Sequence, residues 1–202
     1  MEFIFIIIIL IMSVVIHEVS HGYSALVLGD PTAKYQGRLT LNPLSHLDPV
    51  GSFLVPLMGY FLGGFIIGWA KPVPFNPYNL KNQRWGEAMV AAAGPLSNIV
   101  LALIFGLIIR LVPETLVGPT FLTVVGYVVI LNITLAVFNL IPIPPLDGSK
   151  ILFAFLPYKL HWIKESIERT GIIFVLIAVF FLWRFIVPLV YYLFGLITGI
   201  GM

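Results

Sequence analysis

Residues 3–28 form one long apolar run, and its middle, IIILIMSVVIHEVSH from Ile7 to His21, ends in two histidines and a glutamate. As a helix the run is about 39 Å long, more than the roughly 30 Å hydrocarbon core of a bilayer. In lipid the backbone must satisfy its own N–H and C=O groups, so a spanning segment of this kind has to be helical. The rest of the chain agrees: 59% of residues are hydrophobic and 10% charged, and the mean hydropathy is +1.04, against about 25% charged residues in soluble domains. The sequence therefore describes an integral membrane protein. At 202 residues the apolar segments use up the length, and a single membrane domain over 1–202 is expected. The first run does not read as a signal peptide, because it lacks a basic leader and a small-residue cleavage site and continues through Tyr23 to Leu28. Cysteine is absent, which excludes disulfides, thiolate metal sites and a cysteine nucleophile. A net charge of +2 with no basic run excludes nucleic acid as a partner.

Gly29-Asp30-Pro31 stops the first helix, and Tyr35 to Asn42 alternates in the manner of a short strand or β-hairpin. Further apolar stretches run over 51–70, 88–112, 120–141 and 170–200. The first of these carries Gly51, Pro56, Gly59, Gly63, Gly64 and Gly68, a composition suited to a re-entrant segment. The last holds Pro188 and reads as one kinked helix or two segments. The fold class expected is an all-α polytopic membrane protein with about four to six transmembrane segments, a short β-hairpin and a re-entrant segment near the active site.

His17 lies about 21 Å along the first helix, inside the bilayer. A carboxylate such as Glu18 costs about 2.5–3.5 kcal/mol there unless something compensates it. His17 and His21 are four apart and project from one helix face, where they can grip one ion, with Glu18 beside them as a base. This is the His-Glu-x-x-His arrangement of zinc hydrolases. A catalytic zinc normally takes three protein ligands, and Asp30, Asp48, His46 and Asp147 are candidates for the third. Asp147 stands out by context: it follows Pro142, Pro144 and Pro145, which stop a membrane helix, and precedes Gly148, which permits a turn. Its alternative role is that of a helix cap in an ordinary exit loop.

Three motifs occur in order: HEVSH, Gly94-Pro95-Leu96-Ser97-Asn98 opening a middle helix, and Asn139 to Gly148 in the pattern N-x-x-P-x-x-P-L-D-G. Together they resemble the site-2 protease family of intramembrane zinc metalloproteases. The likeness covers a core of residues 1–156, most closely from residue 8, and leaves 157–202 as a C-terminal transmembrane region. It implies one Zn2+ held by His17, His21 and Asp147, with Glu18 as general acid and base. By position, and as the likeness suggests, Asn98 and Asn139 bind the substrate backbone or the oxyanion, with helix–helix contacts as the alternative. His46 lies in a loop able to fold back over the site, a solvated loop histidine being the alternative. Asn132, seven residues before Asn139, reads as a helix–helix contact. Neither the PDZ nor the CBS domain carried by many relatives is present. The implied partners are transmembrane protein substrates and the lipid bilayer, and the implied activity is regulated intramembrane proteolysis. The alternation of Tyr35 to Asn42 suits either a strand edge offered to the opened peptide or a plain connecting hairpin. The alternative is a non-hydrolytic metal-binding membrane protein or an ion transporter, which would have no need of Glu18.

Nine of the 11 Lys and Arg fall in three connecting regions, around 34–38, 71–84 and 150–169. The positive-inside rule places all three in the cytoplasm. The multi-pass chain then sits in a prokaryotic plasma membrane with its N-terminus outside and its active site toward the cytoplasmic face. In that arrangement 51–70 leaves and re-enters on one side.

Overall fold

The computed structural model describes residues 2–54, 58, 70–113, 115–157 and 181–200. Helix α1 runs over Glu2–Val27, and its end shows why the chain turns there. Gly29 takes φ +114°, its N–H donates to the Leu26 carbonyl (3.1 Å), and the Asp30 N–H donates to the Ala25 carbonyl (2.8 Å). Those two bonds form a Schellman motif, which satisfies carbonyls that the helix would otherwise leave open. A four-residue helix α2, Thr32–Tyr35, follows.

Three further helices build the body of the chain: α3 over Gly86–Leu111, α4 over Pro119–Asn139 and the shorter α5 over Asp147–Phe155. A last helix, α6, covers Phe181–Thr198. Four of these, α1, α3, α4 and α6, are long and apolar enough to cross a membrane. Helices α1 and α3 are antiparallel, since His21 faces Val90 while Ser13 faces Asn98. The end of α1 and the start of α3 therefore lie together, joined by a cluster of Ala25, Leu80 and Val90. Helix α6 packs Ile186 and Val190 against Ala102 of α3 and Val129 and Ile133 of α4. At its far end the Arg110 guanidinium donates to the Leu196 carbonyl (3.1 Å), a cation placed at the negative end of a helix dipole.

Asp30 clamps the α1 terminus. Its carboxylate accepts from the Thr32 hydroxyl (2.6 Å), the Asn76 N–H (2.6 Å) and the Asn79 amide (2.8 Å). Burial pushes this carboxyl up, but the bonds from Thr32, Asn79 and Asn76 prevail and hold it below its ordinary pKa.

The described residues contain no strand. The hairpin expected over Tyr35 to Asn42 is absent: Tyr35 closes α2, and 36–42 runs as irregular chain up to a 3₁₀ turn over Pro43–His46. The alternation there has no facing strand. Instead Arg38 turns inward, 7% exposed, and donates to the carbonyls of Lys71 (2.9 Å) and Pro72 (3.3 Å). Most of the stretch 51–70, expected to be re-entrant, lies outside the described residues, as does the beginning of 170–200. What is described of the former includes a π-helical turn over Pro49–Leu54, where Asp48 accepts from the Val50 and Gly51 N–H groups.

Candidate metal centre

Ser13, His17 and His21 follow one another at intervals of four on α1, so they form a single stripe. All three are buried. The stripe faces α3 at Gly94, where any Cβ would run into the rings of His17 and His21. Only glycine lets the α3 backbone come this close. Pro95 follows it inside α3, so Gly94 to Asn98 occupies the middle of the helix rather than opening it as expected. The third contributor arrives from α5. After α4 ends at Asn139, the prolines at 142, 144 and 145 carry no N–H to extend the helix. The chain turns sharply enough that a side chain at Gly148 would strike the carbonyls of Leu140 and Ile141. Asp147 is the first residue of α5, and the residue before it, Leu146, holds the cap position with no side-chain bond. Its carboxylate is thus spent not on the helix end but on the histidines.

The three groups converge. His17 Nε2 lies 3.1 Å from His21 Nε2 and 3.1 Å from Asp147 Oδ2, and His21 Nε2 lies 3.3 Å from the same oxygen. The outer ring nitrogens determine what points inward. His21 Nδ1 donates to the Val90 carbonyl (2.7 Å), which can only accept. His17 Nδ1 donates to Asn98 Oδ1 (2.6 Å). In the neutral imidazoles both Nε2 atoms therefore present lone pairs, and the carboxylate adds a third. Three lone pairs in van der Waals contact repel one another unless a cation sits among them. A tetrahedral zinc with bonds of about 2.0–2.1 Å keeps its ligand atoms about 3.3–3.4 Å apart, so the donor set suits such an ion in both chemistry and spacing.

Glu18 stands outside this set. Its Oε2 accepts the Val73 N–H (2.8 Å). Pro72 and Pro74 flank Val73 and lack N–H groups, so this is the one backbone donor that 72–74 has to offer. The segment is held in place by Arg38 and by the bond from Lys71 N–H to the His46 carbonyl (2.9 Å). Glu18, His17, His21 and Asp147 together line a cavity of about 150 Å³, with Pro72, Val73, Phe75, Val90, Asn139, Pro145 and Lys150 around them.

Other residues singled out from the sequence fall in different places. Asn139 lines the cavity, with one amide hydrogen tied back to the Leu135 carbonyl (3.0 Å) and no other hydrogen bond from its amide among the described residues. Asn98 does not reach the cavity; it is wholly buried behind His17 and both ends of its amide are used. His46 stays apart from the metal group. It is 2% exposed, and its Nε2 donates to the Thr40 carbonyl (2.8 Å) within its own loop. Asp30 and Asp48, the other candidate third ligands, serve the loops described above. Two participants escape a reading of the sequence: the Val73 N–H and the close approach at Gly94. Asn132, expected as a helix–helix contact, is one: fully buried, it bonds Asn98 of α3 and Ser13 of α1. A buried amide without partners costs about 2–7 kcal/mol, so a pair of them implies a satisfied network.

A family model described as "Peptidase family M50" matches residues 108–183, an interval that includes Asp147 and excludes the HEVSH stretch. The chain is 38% identical over 191 residues to "Putative zinc metalloprotease YwhC" of Bacillus subtilis, which covers 92% of this chain and 81% of that protein. It is 31% identical over 186 residues to Rip2 of Mycolicibacterium smegmatis, a protein of the same description, with 91% of this chain and 70% of that one covered. No solved structure matches the chain.

Proposed function

The chain belongs to peptidase family M50, and we propose that it is an intramembrane zinc metalloendopeptidase that hydrolyses peptide bonds in or near the transmembrane segments of other membrane proteins. The observation that carries this reading is the convergence of His17, His21 and Asp147 on one point beside Glu18, within one cavity. His17 and His21 belong to a helix long and apolar enough to span a membrane. His17, His21 and Asp147 would hold the ion, which would supply Lewis-acid chemistry for activating water near neutral pH and polarising a carbonyl.

The protein's own residues do the rest. Glu18 takes the proton from the attacking water and returns it to the leaving amine. The Val73 N–H occupies one carboxylate oxygen and so keeps the other turned to the cavity. Asn139, at the cavity wall, donates from its amide to the substrate carbonyl or to the charge that develops on it. An ion-holding protein or a transporter would need the first three residues but not a carboxylate beside them.

The partners under this reading are transmembrane proteins and the bilayer. The antiparallel pairing of α1 and α3 supports a topology in which residues 28 and 86 lie on one side of the membrane. The three basic regions assign that side to the cytoplasm.

The test is cleavage of a tagged transmembrane substrate by the purified full chain in detergent. Hydrolysis is expected to fall to background when a zinc chelator is added and to return with zinc. Cleavage indifferent to chelation would rule out the metal mechanism.

A further inference from the structure

Behind His17 runs a chain of buried hydrogen bonds. Asn132 Nδ2 donates to the Val128 carbonyl (2.9 Å) and to Ser13 Oγ (2.9 Å). Asn98 Nδ2 donates to Asn132 Oδ1 (2.8 Å), and Asn98 Oδ1 accepts from His17 Nδ1 (2.6 Å). Asn98 and Asn132 are both 0% exposed and Ser13 is 4% exposed.

The direction of this chain is imposed from its far end. A backbone carbonyl can only accept, so Val128 compels Asn132 to turn its NH2 toward it and its oxygen toward Asn98. Facing that oxygen, Asn98 must offer its own NH2, which leaves its oxygen for His17. With an ion rather than a proton between Nε2 and Asp147 Oδ2 (3.1 Å), His17 meets that oxygen with its proton on Nδ1. The Nε2 lone pair is then the one that points at His21 and Asp147. A second carbonyl, that of Ser13, also accepts from Asn98 Nδ2, but at 3.4 Å it is a weak anchor. The orientation rests mainly on Asn132.

We propose that Asn132 is a positioning residue for the metal centre: through Asn98 it holds His17 in the Nδ1–H tautomer and so presents Nε2 to the ion. This rests on the reading of His17 as a metal ligand. Without Asn132 the Asn98 amide is free to turn over. Its NH2 would then face Nδ1 and move the imidazole proton to Nε2, where it blocks ligation. Three helices contribute to the relay, α1 with Ser13 and His17, α3 with Asn98, and α4 with Asn132, so ligand orientation depends on how these helices sit against one another.

Two measurements on the full-length chain test this. The first is zinc affinity by chelator competition. Asn132→Leu, which removes both the acceptor and the donor, is expected to weaken binding by about 10–100-fold, the usual effect of losing an outer partner of a ligand. Adding Asn98→Asp should restore most of that loss, because a carboxylate accepts from His17 Nδ1 whichever way it turns. A purely structural contact would not be rescued by a buried charge. The second is the ¹⁵N spectrum of the zinc-loaded protein, with the chain's 4 histidines assigned by substitution; zinc is kept in place because without it Asp147 Oδ2, 3.1 Å from His17 Nε2, competes for the same proton. Wild-type His17 should bind through Nε2 and carry a hydrogen-bonded proton on Nδ1, and Asn132→Leu should lose that Nδ1–H bond. A folded Asn132→Leu protein with wild-type affinity and an unchanged His17 signal overturns the proposal, as does a folded double variant that binds no better than the single one. If Asn132→Leu fails to fold, the wild-type spectrum decides alone: a His17 that binds through Nδ1 overturns the relay. Wild-type protein that takes up no zinc overturns the metal reading, whereas wild-type uptake untouched by Asn132→Leu overturns the relay alone.

Discussion

Glu18→Gln is expected to leave the protein folded and loaded with zinc while lowering peptide hydrolysis by about 10²–10⁴-fold, the range supplied by a positioned general base. The separation of the two effects follows from the geometry. Glu18 is not among the three groups that converge; among the described residues its one hydrogen bond is from the Val73 N–H at 2.8 Å. Glutamine has the same shape and keeps a carbonyl oxygen for that N–H, so the wall formed by 72–74 should stay in place. What it lacks is a basic oxygen for the proton of the attacking water. Zinc content measured beside the rate of cleavage gives the answer. A Glu18→Gln protein that cleaves at the wild-type rate would remove Glu18 from the mechanism, and one that loses its zinc would make Glu18 a ligand.

Asp147→Ala should have the opposite signature, with zinc and activity lost together. The carboxylate is one of three donors and supplies the negative charge that offsets the ion. Its loss should therefore weaken zinc by more than the roughly 100-fold upper range seen for outer-shell partners. The competing role, that of an acidic residue at the N-terminus of α5, predicts something far smaller: about 0.3–1 kcal/mol of stability from the helix dipole and no change in metal content. Asp147 Oδ2 sits 3.1 Å from His17 Nε2, and Asp147 is the first residue of α5 while Leu146 holds the cap position. Retention of zinc by a folded Asp147→Ala protein would return Asp147 to the capping role and leave the site with two ligands.

Much of this is legible in the sequence, for identifiable reasons. Helix α1 is expected over 3–28 and is seen over Glu2–Val27, because apolar length sets its extent and Gly29 sets its end. His17, Glu18 and His21 are legible because a spacing of four on a helix fixes which side chains share a face. Asp147 is harder, since nothing local ties it to residues 130 positions away; only the proline-broken context and the family likeness point to it. The misses share a cause. The hairpin over Tyr35 to Asn42 rests on alternation, which says which side chains share a face but not whether another strand is there to pair with. Here Arg38 anchors the segment to the backbone of Lys71 and Pro72 instead. The Val73 N–H that holds Glu18 leaves no trace in residue type, because any non-proline residue carries one. Asn98 and Asn132 exchange significance for a similar reason. Whether a buried asparagine faces a cavity or another asparagine depends on helix register and rotation, and two helices of nearly uniform hydropathy do not announce either.

Everything above depends on one zinc ion held by two imidazoles and a carboxylate in a chain that has no cysteine. X-ray absorption at the zinc edge of the purified wild-type protein reads that ligand set without reference to any substrate. The expected spectrum shows one zinc per chain, a first shell of nitrogen and oxygen at about 2.0–2.1 Å, and outer scattering from two imidazole rings. A protein without stoichiometric zinc, or a spectrum without the two rings, would contradict the account.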